Sequence, residues 1–382
     1  MHICFITNEF PKPGYPHGGV GTFIATLGKS LVKHGVQVSV IGKNQVAKEE
    51  REVVDGINVW RLAPKQIKGL SWFFNSKAIN GAIVKRHQEI PIDVVETTEL
   101  GLAFLSKIKG IKYIIRMNGG HHFFAKAENR PTQLKKVIQE KRSFAKADAV
   151  LAVSEYVKET TRALVGLGDI PINVIYNPVD ITKFQYDDEV KVKPYSIFFA
   201  GSLVEKKGIR QLVQALDFLI PYFPEVHLYI AGRDGLVPGT QTPYRPILEA
   251  SITEKSRNHV TFLGVLPNND MPKYIAEAAI CCYPSHMEAM PLAWLEVLAA
   301  GKIFVGATAG PGPEAVSHMK TGLLADPFKP KDIAEKIAWV FNNEKEAKAL
   351  GEAARIDVLN RFDIKVIVKE NVEFYTKLCQ SK

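Results

Sequence analysis

Residues 279–316 read AICCYPSHMEAMPLAWLEVLAAGKIFVGATAGPGPEAV. The stretch opens on a short apolar run, 280–283, closed by Pro284 and Ser285, the pattern of a buried strand. Pro291 stands where a helix can begin, because a first-turn residue needs no amide donor. Leu292, Leu295, Val297 and Leu298 continue an apolar face, and Gly301 is a C-terminal stop. A second apolar run, 303–307, reads as the next strand. Strand, loop, helix, strand is the repeating unit of a parallel sheet with helices on its faces.

The loop of this unit carries Glu288, and Glu296 follows about two helical turns further on. The free amides of Leu292 and Ala293 point out of the helix start, where unpaired N–H groups and the helix dipole favour an anion. Phosphate on those amides and hydroxyls against the two acids would fit a nucleotide-sugar. Taken alone, the stretch reads first as an ordinary α/β unit with two surface glutamates, so the rest of the chain has to decide.

At 382 residues the chain is long enough for two domains. Its 46% hydrophobic and 23% charged residues are values of a folded chain and exclude a disordered one. No apolar run approaches the ~20 residues of a membrane span. The N-terminus, MHICFITNEF, enters a strand pattern without a basic region, so no signal peptide is expected. Cys4, Cys281, Cys282 and Cys379 lack a metal-ligand spacing, and the first three lie in apolar runs. A reducing, cytoplasmic compartment follows as the expectation. The net charge of +9 suggests an anionic partner: a nucleotide, a nucleic acid or a membrane surface.

The first half alternates in the same way. A strand over 2–7 leads into a loop rich in proline and glycine, and Thr22 opens a helix with the face Phe23, Ile24, Leu27, Leu31, ending near Gly35. Further strands are expected over 36–41, 57–62, 92–96, 112–117, 149–153 and 172–176. Gly18, Gly19 and Gly21 miss the dinucleotide spacing Gly-x-Gly-x-x-Gly, because Ile24 stands at the third position. A polar stretch over 187–194 reads as a linker, and a second series of strands follows over 196–201, 226–232, 260–264, 280–283, 303–307 and 323–326. The expected fold is α/β, with two Rossmann-like, doubly wound domains facing a cleft and ligands at the C-terminal ends of the strands.

One further motif carries chemistry. The segment 200–209, AGSLVEKKGI, ends one strand and starts a helix. A lysine directly before the glycine of such a turn, Lys207, can neutralise a diphosphate; a solvated surface lysine is the common alternative. Taken together, Gly201-x5-Lys207-Gly208, Glu288-x7-Glu296, the Pro291-Leu292 helix start and Asn177-Pro178-Val179-Asp180 resemble glycosyltransferases of family 4 with the GT-B fold. Val153-Ser154-Glu155, the loop from Gly18 to Thr22, and Gly310 to Glu314 belong to the same ordered set, which spans essentially the whole chain.

The resemblance implies retaining transfer of a sugar from a nucleotide donor. It implies an acceptor-side domain over 1–185, a donor-binding domain over 186–362, and a C-terminal helix over 363–382 that returns to the first domain. Carried over by position, Lys207 binds the donor diphosphate and Glu288 approaches the donor sugar. Met290, Leu292 and Ala293 surround sugar and phosphate with backbone, Glu296 holds the ribose, Val265 and Leu266 lie near the base, and Gly19 and Gly201 are part of the donor site.

Two positions depart from the family pattern. Members often carry arginine directly after the glycine, where this chain has Ser202; Arg233, at another strand end, can replace it or stand as a solvated or salt-bridged residue. Many members also end a first-domain strand with His-Gly, and here Asn118 takes the histidine's place, with His121 and His122 following. Asn118, His121 and His122 are therefore the acceptor-side candidates. The paired histidines lack a third ligand at a metal spacing, and there is no Asp-x-Asp motif, so neither metal nor other cofactor is expected and the nucleotide-sugar is a co-substrate. Two carboxylates can also signal a glycosidase, but the spacing of Glu288 and Glu296 points to binding roles.

Three partner classes remain for the rest of the surface. The acceptor is expected to be a sugar, a glycan or a lipid-linked molecule, in surface polysaccharide or glycolipid synthesis. The run Lys135, Lys136, Lys141, Arg142, Lys146 reads as a solvated helix face or as a contact with anionic lipid at the inner face of the plasma membrane. Nucleic acid is not expected, since the run lacks interleaved aromatics. A non-catalytic nucleotide-sugar-binding or regulatory protein of the same fold is the alternative function.

Overall fold

The computed structural model describes residues 1–15, 17–185 and 190–380. The chain forms two compact units, one of Met1–Pro178 with Ile364–Lys382 and one of Val179–Asp363. Of the polar stretch read as a linker, Asp187, Asp188 and Glu189 lie outside the described residues, while Lys193 and Pro194 already belong to a strand.

The first unit runs β1 (His2–Ile6), α1 (Gly19–Lys33), β2 (Gln37–Lys43), β3 (Glu50–Val54), β4 (Ile57–Leu62), α2 (Ser71–Glu89), β5 (Val94–Thr97) and β6 (Lys112–Met117). It continues with α3 (His121–Ala127), α4 (Leu134–Phe144), β7 (Ala149–Ala152), α5 (Glu155–Val165) and β8 (Ile172–Val174). Its eight strands are ordered β3-β4-β2-β1-β5-β6-β7-β8, parallel except for β3, which pairs antiparallel at the edge. Helix α1 begins at Gly19, a turn before the Thr22 start read from the sequence. Its first rung is formed by the Thr22 amide on the Gly18 carbonyl at 3.3 Å, which the poor helix propensity of glycine conceals.

The second unit contains β9 (Lys193–Ala200), a 3₁₀ turn at Glu205–Lys207, α6 (Ile209–Leu219), β10 (His227–Ala231), α7 (Arg245–Ala250), β11 (Val260–Gly264) and α8 (Met271–Glu277). Then come β12 (Ala278–Cys282), α9 (Leu292–Ala299), β13 (Phe304–Ala307), α10 (Gly312–Ala315), β14 (Leu323–Ala325), α11 (Pro330–Asn342) and α12 (Glu344–Arg361). Six parallel strands are ordered β11-β10-β9-β12-β13-β14. Pro291 caps α9 from just outside it, and Trp294, Leu295, Val297 and Leu298 carry the buried face, with Leu292 only half-buried.

Helix α13 (Ile364–Gln380) belongs to the first unit, and its Ile367, Val368 and Tyr375 join the core of β1, β2, β5 and α1. Each fully buried aliphatic side chain there contributes about 1.5–3 kcal/mol. A polar lock adds direction. Buried Arg116 on β6 donates from Nε to Glu96 of β5 at 2.6 Å and from Nη2 to Asn371 at 2.6 Å. The Tyr375 hydroxyl donates to Glu96 at 2.7 Å. Removing one partner of such a pair leaves an uncompensated charge. Arg116→Met is therefore expected to destabilise the first unit by about 3–5 kcal/mol, read from urea unfolding with hydrogen exchange in α13. Arg116→Met combined with Glu96→Leu should recover much of that loss.

Candidate active site

Among the parallel strands of each sheet the order reverses once, between β1 and β5 in the first and between β9 and β12 in the second. Loops leaving the C-terminal ends on either side of such a point diverge and leave a crevice. The second unit places Lys207 after β9 and Glu288 after β12, and joins them: Lys207 Nζ lies 2.5 Å from Glu288 Oε1. The contact is an ion pair without hydrogen-bond geometry, since buried Oε1 takes no hydrogen bond. Ser285 Oγ, in the same loop, is likewise buried and takes none.

The backbone enforces this meeting. Gly208 sits at φ +67°, and a Cβ there would fall 1.8 Å from the Pro284 carbonyl oxygen. The His286 amide donates to the Lys206 carbonyl at 2.8 Å. From the third loop, Gly310 at φ +64° approaches the Glu288 amide. Beneath Lys207, Glu205 accepts from Arg210 at 2.6 Å, from Gln211 at 3.0 Å and from the Tyr244 hydroxyl at 2.5 Å. Partial burial pushes the Glu205 carboxyl up, but these donors outweigh it and bring it down to about 2. The turn that presents Lys207 is thus clamped by a permanently ionised carboxylate. Sequence reading missed Glu205 and Tyr244, since only the lysines of that segment drew attention.

Glu296 lies on α9 in dense surroundings, and its carboxyl group makes no hydrogen bond with the described residues. Burial raises its carboxyl to about 7, against a lowering by Lys183. Met290 is buried, and Leu292 and Ala293 occupy the first turn of α9, whose leading amides have no partner within the helix. On the other side, the Leu203 amide donates to the Arg233 carbonyl at 2.9 Å, which sets Arg233 beside Ser202. Arg233 is exposed and forms no ion pair among the described residues. Val265 and Leu266 follow β11 on the same edge, with Val265 fully open to solvent at 72% exposure. Gly232 lets the neighbouring strand end come close to Gly201, since a Cβ at Gly232 would fall 1.8 Å from the Gly201 carbonyl oxygen.

In the first unit the glycine loop divides its work. A Cβ at Gly18 or Gly21 would strike Glu9, at 2.5 and 1.8 Å, whereas one at Gly19 meets nothing within 4 Å. Gly19 alone of the three leaves room for an incoming group. Asn118 directly follows β6, with its amide on Glu99 at 2.6 Å and its side-chain Nδ2 on the Arg116 carbonyl at 3.1 Å. His121 and His122 open α3 above buried Glu140, which accepts from the His121 amide at 2.9 Å and from the His122 ring. Burial, reinforced by Glu140, pushes Glu99 up to about 7, against hydrogen bonds from the Asn118 and Gly119 amides. Glu99 and Glu140 were not anticipated; each is a lone acid that charge pattern assigns to the surface. Among the described residues no group of three or more His, Cys, Asp or Glu could hold a metal ion.

Glu296 gives a pH-dependent prediction. Its folded pKa lies above the ordinary carboxylate value, so stability is full below about pH 4 and falls as pH rises towards 7. Glu296→Gln, of the same shape, should unfold at a higher temperature than the parent chain at pH 8 and at nearly the same temperature at pH 4. Calorimetry at the two pH values checks the sign.

Residues 17–183 match the family model described as Glycosyltransferase Family 4, and residues 180–357 match Glycosyl transferases group 1. An uncharacterized glycosyltransferase of Methanocaldococcus jannaschii is 25% identical over 98% of each chain. Among solved structures, sucrose-phosphate synthase from Thermosynechococcus elongatus superimposes with a TM-score of 0.86 at 19% identity, covering 100% of both chains. Anabaena HepE in complex with UDP-glucose gives 0.76 at 18% identity, covering 99% of this chain and 100% of HepE. With a family 4 half followed by a group 1 half, each built around one doubly wound sheet, the chain belongs to the glycosyltransferases of the GT-B type.

Proposed function

We propose that the chain transfers a sugar from a nucleotide-sugar to a hydroxyl of a sugar, glycan or lipid-linked acceptor, with retention and without a metal or other cofactor. The carrying observation is the Lys207–Glu288 pair at the strand-order reversal of the second unit, in which buried Oε1 has the lysine as its ion-pair partner and takes no hydrogen bond. A donor diphosphate at Lys207 would exchange one anionic partner for another and free Glu288 for the sugar's hydroxyls. As the bond to the nucleotide breaks, negative charge grows on the diphosphate, and Lys207 with the first amides of α9 is preorganised to meet it. Arg233, next to Ser202, supplies the second cation that the family's missing arginine would give. Glu296 suits the ribose and Val265 with Leu266 the base; HepE, of the same fold, binds UDP-glucose, which makes uridine donors the first to screen. A regulatory protein of this fold would bind donor without turning it over.

Lys207→Ala should weaken nucleotide-sugar binding about tenfold or more, as loss of a charged contact does, and spare the bare nucleoside; calorimetry showing equal losses would sink the assignment. Glu288→Gln should lower transfer with a modest effect on nucleotide affinity, and a chelator should change little. Proton NMR of the product then gives the anomer: an inverted product, or activity abolished by chelation and restored by magnesium, would reject the mechanism.

A second observation supports association of the first unit with an anionic membrane from the cytoplasmic side. Ile67, Leu70, Trp72 and Phe73 are exposed at the entry to α2, in a segment that also carries exposed Lys65, Lys68 and Lys77. The Trp72 ring packs tilted against Phe104, with centroids 4.5 Å apart, and the Arg142 guanidinium covers Phe104 from α4, where Leu134 and Ile138 are exposed beside Lys135 and Lys141. Apolar side chains flanked by cations suit a lipid interface, each cation adding about 1 kcal/mol. Lys146 drops out of this face, because its ammonium donates to the carbonyls of Ala103 and Leu105 at 3.1 and 2.6 Å. No helix among the described residues is long and apolar enough to cross a membrane. Trp72→Ala with Phe73→Ala should reduce cosedimentation with phosphatidylglycerol vesicles several-fold; equal binding to neutral and anionic vesicles favours a soluble acceptor.

A further inference from the structure

We propose that Glu140 is a positioning residue: it holds His122 with Nδ1 protonated, so that the Nε2 lone pair is presented to a sugar hydroxyl. Glu140 is completely buried, brought by α4 beneath the first turn of α3. Its Oε1 accepts the His121 amide at 2.9 Å, and its Oε2 accepts both the His122 amide at 3.3 Å and the His122 ring Nδ1. A buried carboxylate can only accept, so Nδ1 must carry a proton. Among the described residues His122 Nε2 has no hydrogen-bond partner, and the side chain keeps 11% of its surface open.

The other two candidates at this edge are occupied. His121 Nε2 accepts the Gln133 amide at 2.8 Å, which pins the turn entering α4, and burial with Arg130 nearby lowers its pKa and keeps it neutral. Asn118 turns its Nδ2 back onto its own strand. The loop is shaped around the acid, for a Cβ at Gly120 would fall 1.9 Å from Glu140 Oε1. The charged groups around the pair are Glu99 behind it and Arg130 and Lys136 beside His121.

A lone pair at Nε2 selects a donor. It suits a neutral hydroxyl and disfavours a phosphate or carboxylate, which would need an N–H there. The inference rests on the transferase reading for its substrate, and assigns the hydroxyl contact to His122 in place of Asn118 or His121.

The first test needs no substrate. Long-range proton–nitrogen spectra of the full chain labelled with ¹⁵N-histidine, with His122 assigned by its loss in His122→Asn, should show Nδ1 protonated and Nε2 bare at pH 8. In Glu140→Gln the carbonyl keeps the His121 amide at the place of Oε1, the NH₂ at the place of Oε2 faces Nδ1, and the ring should switch to Nε2–H. The second test follows transfer from UDP-glucose to octyl β-glucoside. Glu140→Gln and His122→Asn should each lower it roughly tenfold, the worth of one hydrogen bond, and the double variant no further than either alone. Thermal unfolding confirms the fold of each, and if Glu140→Gln does not fold, the parent spectrum and His122→Asn carry the test. An Nε2–H ring in the parent chain, unchanged transfer in His122→Asn, or losses that multiply in the double variant would overturn the proposal. A parent chain that turns over no nucleotide-sugar would instead reject the transferase reading, leaving the tautomer result to decide the role of Glu140.

Discussion

The buried ion pair between Arg116 and Glu96 is the constraint from which the first unit takes its form. Two charges removed from water cost several kcal/mol each, and only close partners and further hydrogen bonds offset that cost. Here the further bonds come from Asn371 and Tyr375, on a helix 255 and 259 residues away in sequence. Without α13, Glu96 and Arg116 would still face each other, but in an open apolar groove lined by α1 and the first strands. The helix therefore does two things at once: it completes a hydrocarbon core and it completes a polar cluster inside that core. Either alone would allow a helix to slide or rotate; together they fix its register.

The same economy governs the site loops of the second unit. Lys207 and Glu288 are far apart in sequence, and their proximity depends on where backbones are allowed to touch. Gly208 against Pro284 brings the two loops into contact without side chains intervening. The turn that carries the lysine is held by the bonds of Glu205, and the lysine itself is paired with Glu288. One of these acids is locked by four donor bonds, and the other is held by a single ion pair that a competing anion can break. That asymmetry separates the structural acid from the one available to a ligand.

Much of this was legible in the sequence, and for identifiable reasons. Apolar runs such as 280–283 and 303–307 are continuous because central parallel strands are covered on both faces, so they stand out without alternation. The lysine before Gly208 and the glutamates around α9 were readable because they sit at strand ends and helix starts. The edge strand β3, with sequence EREVV, was invisible since its charges suit an exposed antiparallel edge and mimic a loop. Glu99, Glu140 and Glu205 were missed because a carboxylate is assigned to the surface unless its donors are known. Those donors are backbone amides and distant side chains that only folding assembles.

The return of α13 also has a bearing on how the chain is made. Synthesis runs from the N-terminus, and domains usually fold in the order in which they emerge. Here the first sheet leaves the ribosome early, yet Ile367, Val368 and Tyr375 are translated after the whole second unit. Until they arrive, the half-finished polypeptide carries a sticky furrow with a charged pair at its floor, an attractive target for a chaperone. The emergence of α13, rather than the end of the first sheet, thus marks the moment at which the first unit can become native.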